Sequence, residues 1–166
     1  MWFERYDVAE PAVGEYDLGG VDWQECLSSD LPRARITAGA VFRGEVGHSA
    51  LLREPEFRQF KTGNLRLPIW AWQWLLRLSW ITGHRSQRTC HDDFRRRVLA
   101  VADLLSASDR DTLVVSHAGM MAYLSAELRR RGFAGPKLHI AKHATAYIYE
   151  KNRGQSASAR NGANVT

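Results

Sequence analysis

Thr112–Met121 reads TLVVSHAGMM. An uncharged, β-branched run ends in Ser116-His117-Ala118-Gly119 and passes directly into a stretch of helical composition. Thr112–Ser116 is therefore expected as a buried strand, and Gly119–Arg131 as a helix stopped by Gly132. A strand feeding a helix through a short polar turn is the repeating unit of α/β sandwiches. In these folds ligands sit at the carboxyl ends of strands, and free helix amides face anions. A histidine at that point can donate to a bound phosphate or take a proton from it. It can equally be an ordinary turn residue.

The rest of the chain repeats the alternation. Glu25–Ser28 (ECLS) is a short strand candidate, followed by a helix over 31–43 with Asp30 as its N-cap and Pro32 in its first turn. Arg33 and Arg35 lie early in that helix, against the dipole, an arrangement that a nearby anion relieves. Two residues apart they point differently, so one at most reaches a shared site, and Arg33 is nearer the amino terminus. Gly44–Gly47 reads as a turn and Ser49–Arg53 as a second strand, which leads to Glu54. That glutamate is either a proton donor or the ion-pair partner of Arg53 or Arg33. Residues 54–67 are polar and irregular. His91–Ser106 is a helix with Phe94, Val98, Val101 and Leu105 on one face. Thr145–Tyr149 is a last strand candidate. From Asn152 onward the chain lacks apolar residues to bury and is expected to be disordered. The pattern predicts an α/β fold with a mostly parallel sheet in one domain over residues 1–150, then a tail over 151–166.

Composition narrows the function classes. The 166 residues carry 23 Lys plus Arg against 18 Asp plus Glu, for a formal charge of +5. Only four of the cations are lysines, so the chain favours guanidinium forks, which bind carboxylate and phosphate through two bonds. Cys26 and Cys90 are too few for a disulfide scaffold or a thiolate zinc cluster. No metal or other cofactor is expected, because arginines and imidazoles supply the positive charge. With no secretory signal at the start, cytoplasm is the expected location. Arg95-Arg96-Arg97 and Arg129-Arg130-Arg131 fan over about 200° of a helix and form no single stripe, so nucleic acid is not an expected partner. Leu67–Ile81 (LPIWAWQWLLRLSWI) holds four of the six tryptophans. Its 15 residues fall short of the roughly 20 that a membrane span needs. It reads as a helix opened by Pro68 and closed near Gly83, packed on the core or roofing a pocket, with a membrane surface as the alternative.

Three stretches together resemble the histidine phosphatase superfamily, the phosphoglycerate-mutase-like fold. Its Ser-Asp-Leu-x-Arg-Ala-x-x-Thr-Ala segment is matched by Ser29-Asp30-Leu31-Pro32-Arg33-Ala34-Arg35-Ile36-Thr37-Ala38. A Leu-x-Glu segment is matched by Leu52-Arg53-Glu54. A Val-Ser-His-Gly-Gly turn is matched, with one change, by Val115-Ser116-His117-Ala118-Gly119. The resemblance implies a three-layer sandwich and a phosphomonoester substrate, carried by a small molecule or a protein. It implies a phosphate pocket holding Arg33, Ser29, Ala118 and Gly119. Glu54 becomes the acid-base residue, and His117 the group that stabilises the transferring phosphoryl.

One motif departs from that pattern. The family's nucleophile is the histidine of an Arg-His-Gly turn closing the first strand, and no Arg-His-Gly occurs in this chain. Arg5-Tyr6-Asp7 offers no imidazole. His48, His84, His91, His139 and His143 lack the strand-end context, and His84, in Gly83-His84-Arg85, follows a helix. The expectation is a sandwich without its first strand, which the family places centrally beside the strand ending at His117. Two apolar sheet edges would then favour self-association. As given, the chain is expected to lack turnover. It is either a phosphatase or mutase short of its nucleophile, or a non-catalytic relative that binds phosphorylated ligands or a partner.

Overall fold

The computed structural model describes residues 17–55, 68–82, 84, 88–142 and 145–151. The expectations for residues 1–16, 56–67 and 152–166, and for Gly83 and His143, lie outside the described residues. Three strands form a parallel sheet in the order β2-β1-β3: β1 (Glu25–Ser29), β2 (Val46–Ser49) and β3 (Thr112–Val115). Parallel neighbours need crossovers, and helices supply them. α1 (Pro32–Val41) joins β1 to β2, while α2 (Ile69–Ile81) and α3 (Arg88–Ala107) lie between β2 and β3. α4 (Ala118–Arg130) follows β3. Phe133–Ala134 (β4) and Glu150–Lys151 (β5) then pair antiparallel.

Strand alternation divides the interior in two. Cys26 and Leu113 point to one face and meet Ala38 of α1, joined by Trp23, Val41 and Phe42. Leu27 and Val114 point to the other face and pack on Leu52, Phe94, Val98, Val101, Met120 and Leu124 from α3, α4 and the chain after β2. Helices therefore cover both faces, giving the three-layer α/β sandwich. In α1, Ala34 and Ala38 are buried one turn apart, and their small side chains let the helix approach the sheet closely. α3 buries Phe94, Val98 and Val101 as its spacing predicts, adds Ala102, and holds Leu105 against the same core. Phe94 meets Tyr123 of α4 edge to face at 5.1 Å. α4 closes on Gly132 at φ 90°, a left-handed conformation that glycine adopts without steric cost.

Several boundaries differ from expectation. The second strand is Val46–Ser49, inside and just after the expected turn 44–47, and Ala50–Leu52 is a 3-10 turn instead of the strand Ser49–Arg53. The reason is packing: the turn drops Leu52 into the core, fully buried, and Ser49 Oγ accepts the Leu51 N–H at 3.2 Å. Thr145–Tyr149 forms no strand, and pairing begins only at Glu150. Asp30 does not cap α1; its carboxylate is engaged by Arg53, and the cap position falls to Leu31 without a side-chain bond. On the tryptophan-rich helix Trp70 and Trp74 are 65% and 68% exposed, Leu78 is exposed one turn on, Trp72 is half-buried and Ser79 is buried.

Candidate active site

The site is assembled by register. Ser28 stands opposite Val115, so β1 and β3 end together, and Ser29 stands opposite Ser49 at the end of β2. The three segments leaving these strands, 29–33, 50–54 and 116–119, therefore meet at the carboxyl edge of the sheet. His117 Nε2 lies 3.1 Å from Ser29 Oγ, joining residues 88 positions apart. Ser29 is buried, and its hydroxyl also accepts the Leu31 N–H at 3.3 Å. The hydroxyl donates when Nε2 carries no proton and accepts when it does, so the contact survives a change of tautomer.

His117 occupies the cap position of α4 without making a side-chain cap bond. The amides of Ala118, Gly119 and Met120 open the helix and have no carbonyl one turn earlier, so this end is an electropositive terminus. Glu54 borders it. A methyl group on Gly119 would stand 3.6 Å from Glu54 Oε1 and 3.1 Å from Pro55 Cδ. The missing side chain lets the acid and its proline lie against the first turn of the helix.

Three side chains anchor the Glu54 segment. Arg53 donates Nε and Nη2 to the two Asp30 oxygens at 2.7 and 2.6 Å, and this fork holds the Asp30 carboxyl below its ordinary range. Arg97 reaches back from α3, donating Nη1 to the Arg53 carbonyl at 3.0 Å and Nη2 to the Glu54 carbonyl at 3.2 Å. Its guanidinium also lies 5.3 Å over the Phe94 ring. Ser116 donates to the Leu52 carbonyl at 2.6 Å. The histidine turn and the glutamate segment are thus tied directly to each other.

Of the residues singled out from sequence, Ser29, Glu54, His117, Ala118 and Gly119 lie at this edge. Arg33 is half-buried in the first turn of α1, close behind Ser29, whereas Arg35 is exposed. The pairing of Arg53 with Glu54 is not realised, because Asp30 takes the fork. His48, His84 and His139 are exposed, and His91 lies on α3 with Asp92 at 3.7 Å. Sequence reasoning missed Ser116 and Arg97. No sequence signal separates Arg97 from Arg95 and Arg96. Among the described residues no three His, Cys, Asp or Glu side chains gather as metal ligands do, and no described helix is long and apolar enough to cross a membrane.

The chain is thus a parallel three-layer α/β sandwich whose strand ends bring imidazole, hydroxyl, carboxyl and a helix amino terminus together. The family model of the histidine phosphatase superfamily (branch 1) matches residues 11–162, and the chain belongs to that superfamily. No curated protein and no solved structure is similar to it at a significant level.

Proposed function

We propose that the chain takes the phosphoryl group of a phosphomonoester, borne by a small molecule or a protein, at the carboxyl end of its sheet. The amides of Ala118 and Gly119 and the guanidinium of Arg33 receive the phosphoryl oxygens. His117 stabilises the charge that develops there, held by Ser29, and Glu54 supplies the proton for the leaving oxygen. The observation that carries this reading is the 3.1 Å contact between His117 Nε2 and Ser29 Oγ beside that helix terminus. Turnover through a phosphohistidine also requires an imidazole in line with the leaving oxygen. The absence of an Arg-His-Gly turn from the sequence favours a second reading, a pocket that binds phosphorylated ligands without cleaving them.

Two measurements separate the outcomes. Calorimetric titration with inorganic phosphate is expected to show binding that His117→Ala and Arg33→Gln each remove; binding unchanged by both sinks the pocket. Turnover of para-nitrophenyl phosphate that Glu54→Gln abolishes establishes the enzyme, and phosphate binding without turnover establishes the binding protein.

A further inference from the structure

Trp70, Trp74 and Leu78 of α2 are exposed and follow one another at four-residue intervals. At about 100° per residue they and the exposed Leu75 fall within one stripe about 140° wide. Buried Ser79 and half-buried Trp72 lie outside it. No described residue of α2 belongs to either core cluster. Elsewhere among the described residues the exposed large apolar side chains, Ile36, Leu104, Tyr123 and Ile140, come one to an element. α2 alone gathers them into a patch, the arrangement that marks an interaction surface.

Charge says which surface it meets. Residues 57–91 hold Arg58, Lys61, Arg66, Arg77, Arg85 and Arg88 and no Asp or Glu. That segment carries a formal +6, whereas the whole chain carries +5, so the remaining residues sum to −1. Arg66, Arg77, Arg85 and Arg88 fall inside α2 or within seven residues of its ends. From this pattern we infer that α2 lies in the surface of an anionic lipid bilayer, with the Trp70–Leu78 stripe sunk into it. The indole rings suit the headgroup level, where the ring is apolar and its N–H finds an acceptor. Basic residues around such a helix add attraction to acidic headgroups. The 13 residues of α2 span about 20 Å against about 30 Å of hydrocarbon, so the helix lies along the surface. A polyanion without an apolar phase, such as nucleic acid, would leave Leu75 and Leu78 in water. None of the strand-end residues takes part, so this surface stands whether or not the phosphate pocket does.

The test is sedimentation of the full chain with phosphatidylcholine vesicles containing about one-third phosphatidylserine. The chain is expected to bind these and not phosphatidylcholine alone, and affinity is expected to fall at least about tenfold between about 0.1 and 1 M salt. Brominated acyl chains are expected to quench the tryptophan fluorescence of the bound protein, because the stripe reaches the acyl boundary. Trp70→Glu with Trp74→Glu is expected to abolish binding while keeping the parent's melt. Trp70→Leu with Trp74→Leu is expected to retain binding and reduce the quenching. Absence of binding, equal binding to neutral vesicles, or binding without quenching, which is adsorption by charge alone, would overturn the proposal. So would a dimer that the glutamate pair disperses, since a second copy would then cover the stripe. Single-stranded DNA bound as tightly as the vesicles, and lost in the same variant, would overturn it too.

Discussion

The guanidinium of Arg53 is 43% exposed and its Asp30 partner 28%, so this ion pair adds little to stability. Its consequence is positional: it fixes the backbone just before Glu54. Arg53→Gln is therefore expected to change unfolding free energy by no more than about 1 kcal/mol in urea melts. Any turnover of para-nitrophenyl phosphate is expected to fall about tenfold in the same variant, because Glu54 loses its anchor, while phosphate affinity stays level. Equal turnover in the two proteins would show that Arg97 and Ser116 suffice. At this scale the places of His117 at a strand end and Arg33 in a helix start were legible from the local pattern, while Ser29 and Glu54 were picked out by the resemblance of their motifs. Arg97 was not. Three consecutive arginines look alike in sequence, and only the packing of Phe94 against α4 decides which of them turns inward.

The end of α4 carries a cluster in which three of the four charged groups belong to the helix or its cap. Glu127 accepts from Arg130 and Arg131, and Arg131 reaches Asp103 of α3 at 2.6 Å, tying the two helices together. The Arg130 and Arg131 guanidinium groups, against the opposing effect of burial, bring the Glu127 carboxyl from near 4.5 down to about 2. A carboxyl lowered on folding stabilises above its unfolded value and loses that contribution as pH falls through the folded one. Urea melts of the parent are expected to hold level above about pH 5 and to weaken between about 4.5 and 2. Glu127→Gln should be less stable at neutral pH and flatter across that acid window; an identical acid limb would show that other carboxyls govern it. α2 gives the opposite case. Trp70 and Trp74 are exposed, so the pair Trp70→Glu and Trp74→Glu is expected to shift stability by less than about 0.5 kcal/mol each. A loss of about 2 kcal/mol or more in urea would mean that these rings are buried in solution. Element type was legible wherever an apolar period ran long, as in α3. β2 was not, since Val46-Gly47-His48-Ser49 has one β-branched residue and no alternation. It becomes a strand through its pairing with β1, and Gly47 fits there because a side chain would meet Leu27 Cδ2 at 3.0 Å. Thr145–Tyr149 shows the reverse, a β-branched and aromatic run that is not a strand, with pairing to β4 starting only at Glu150.

Across the whole molecule the two faces of the sheet carry unequal weight. Among the described residues eight buried ones cluster on the α3–α4 side and three on the α1 side, so their packing is concentrated where Phe94 sits. The thinner face holds Cys26, whose thiol is pushed up to about 11 by burial and is therefore an inert packing group. Phe94→Ala is expected to cost about 3–5 kcal/mol, and Ala38→Gly, in the helix on the thin face, about 1 kcal/mol. Both effects reach the strand ends, because α3 carries Arg97 and α1 carries Arg33. Phosphate binding only the folded state, at a hundred times its dissociation constant, returns about 2.7 kcal/mol. Saturating phosphate should therefore restore Ala38→Gly to the parent's unliganded melting midpoint and leave Phe94→Ala below it. Calorimetric melts with and without phosphate read this directly. If phosphate moves neither midpoint, the anion does not bind the folded chain, and the two faces are coupled by packing alone.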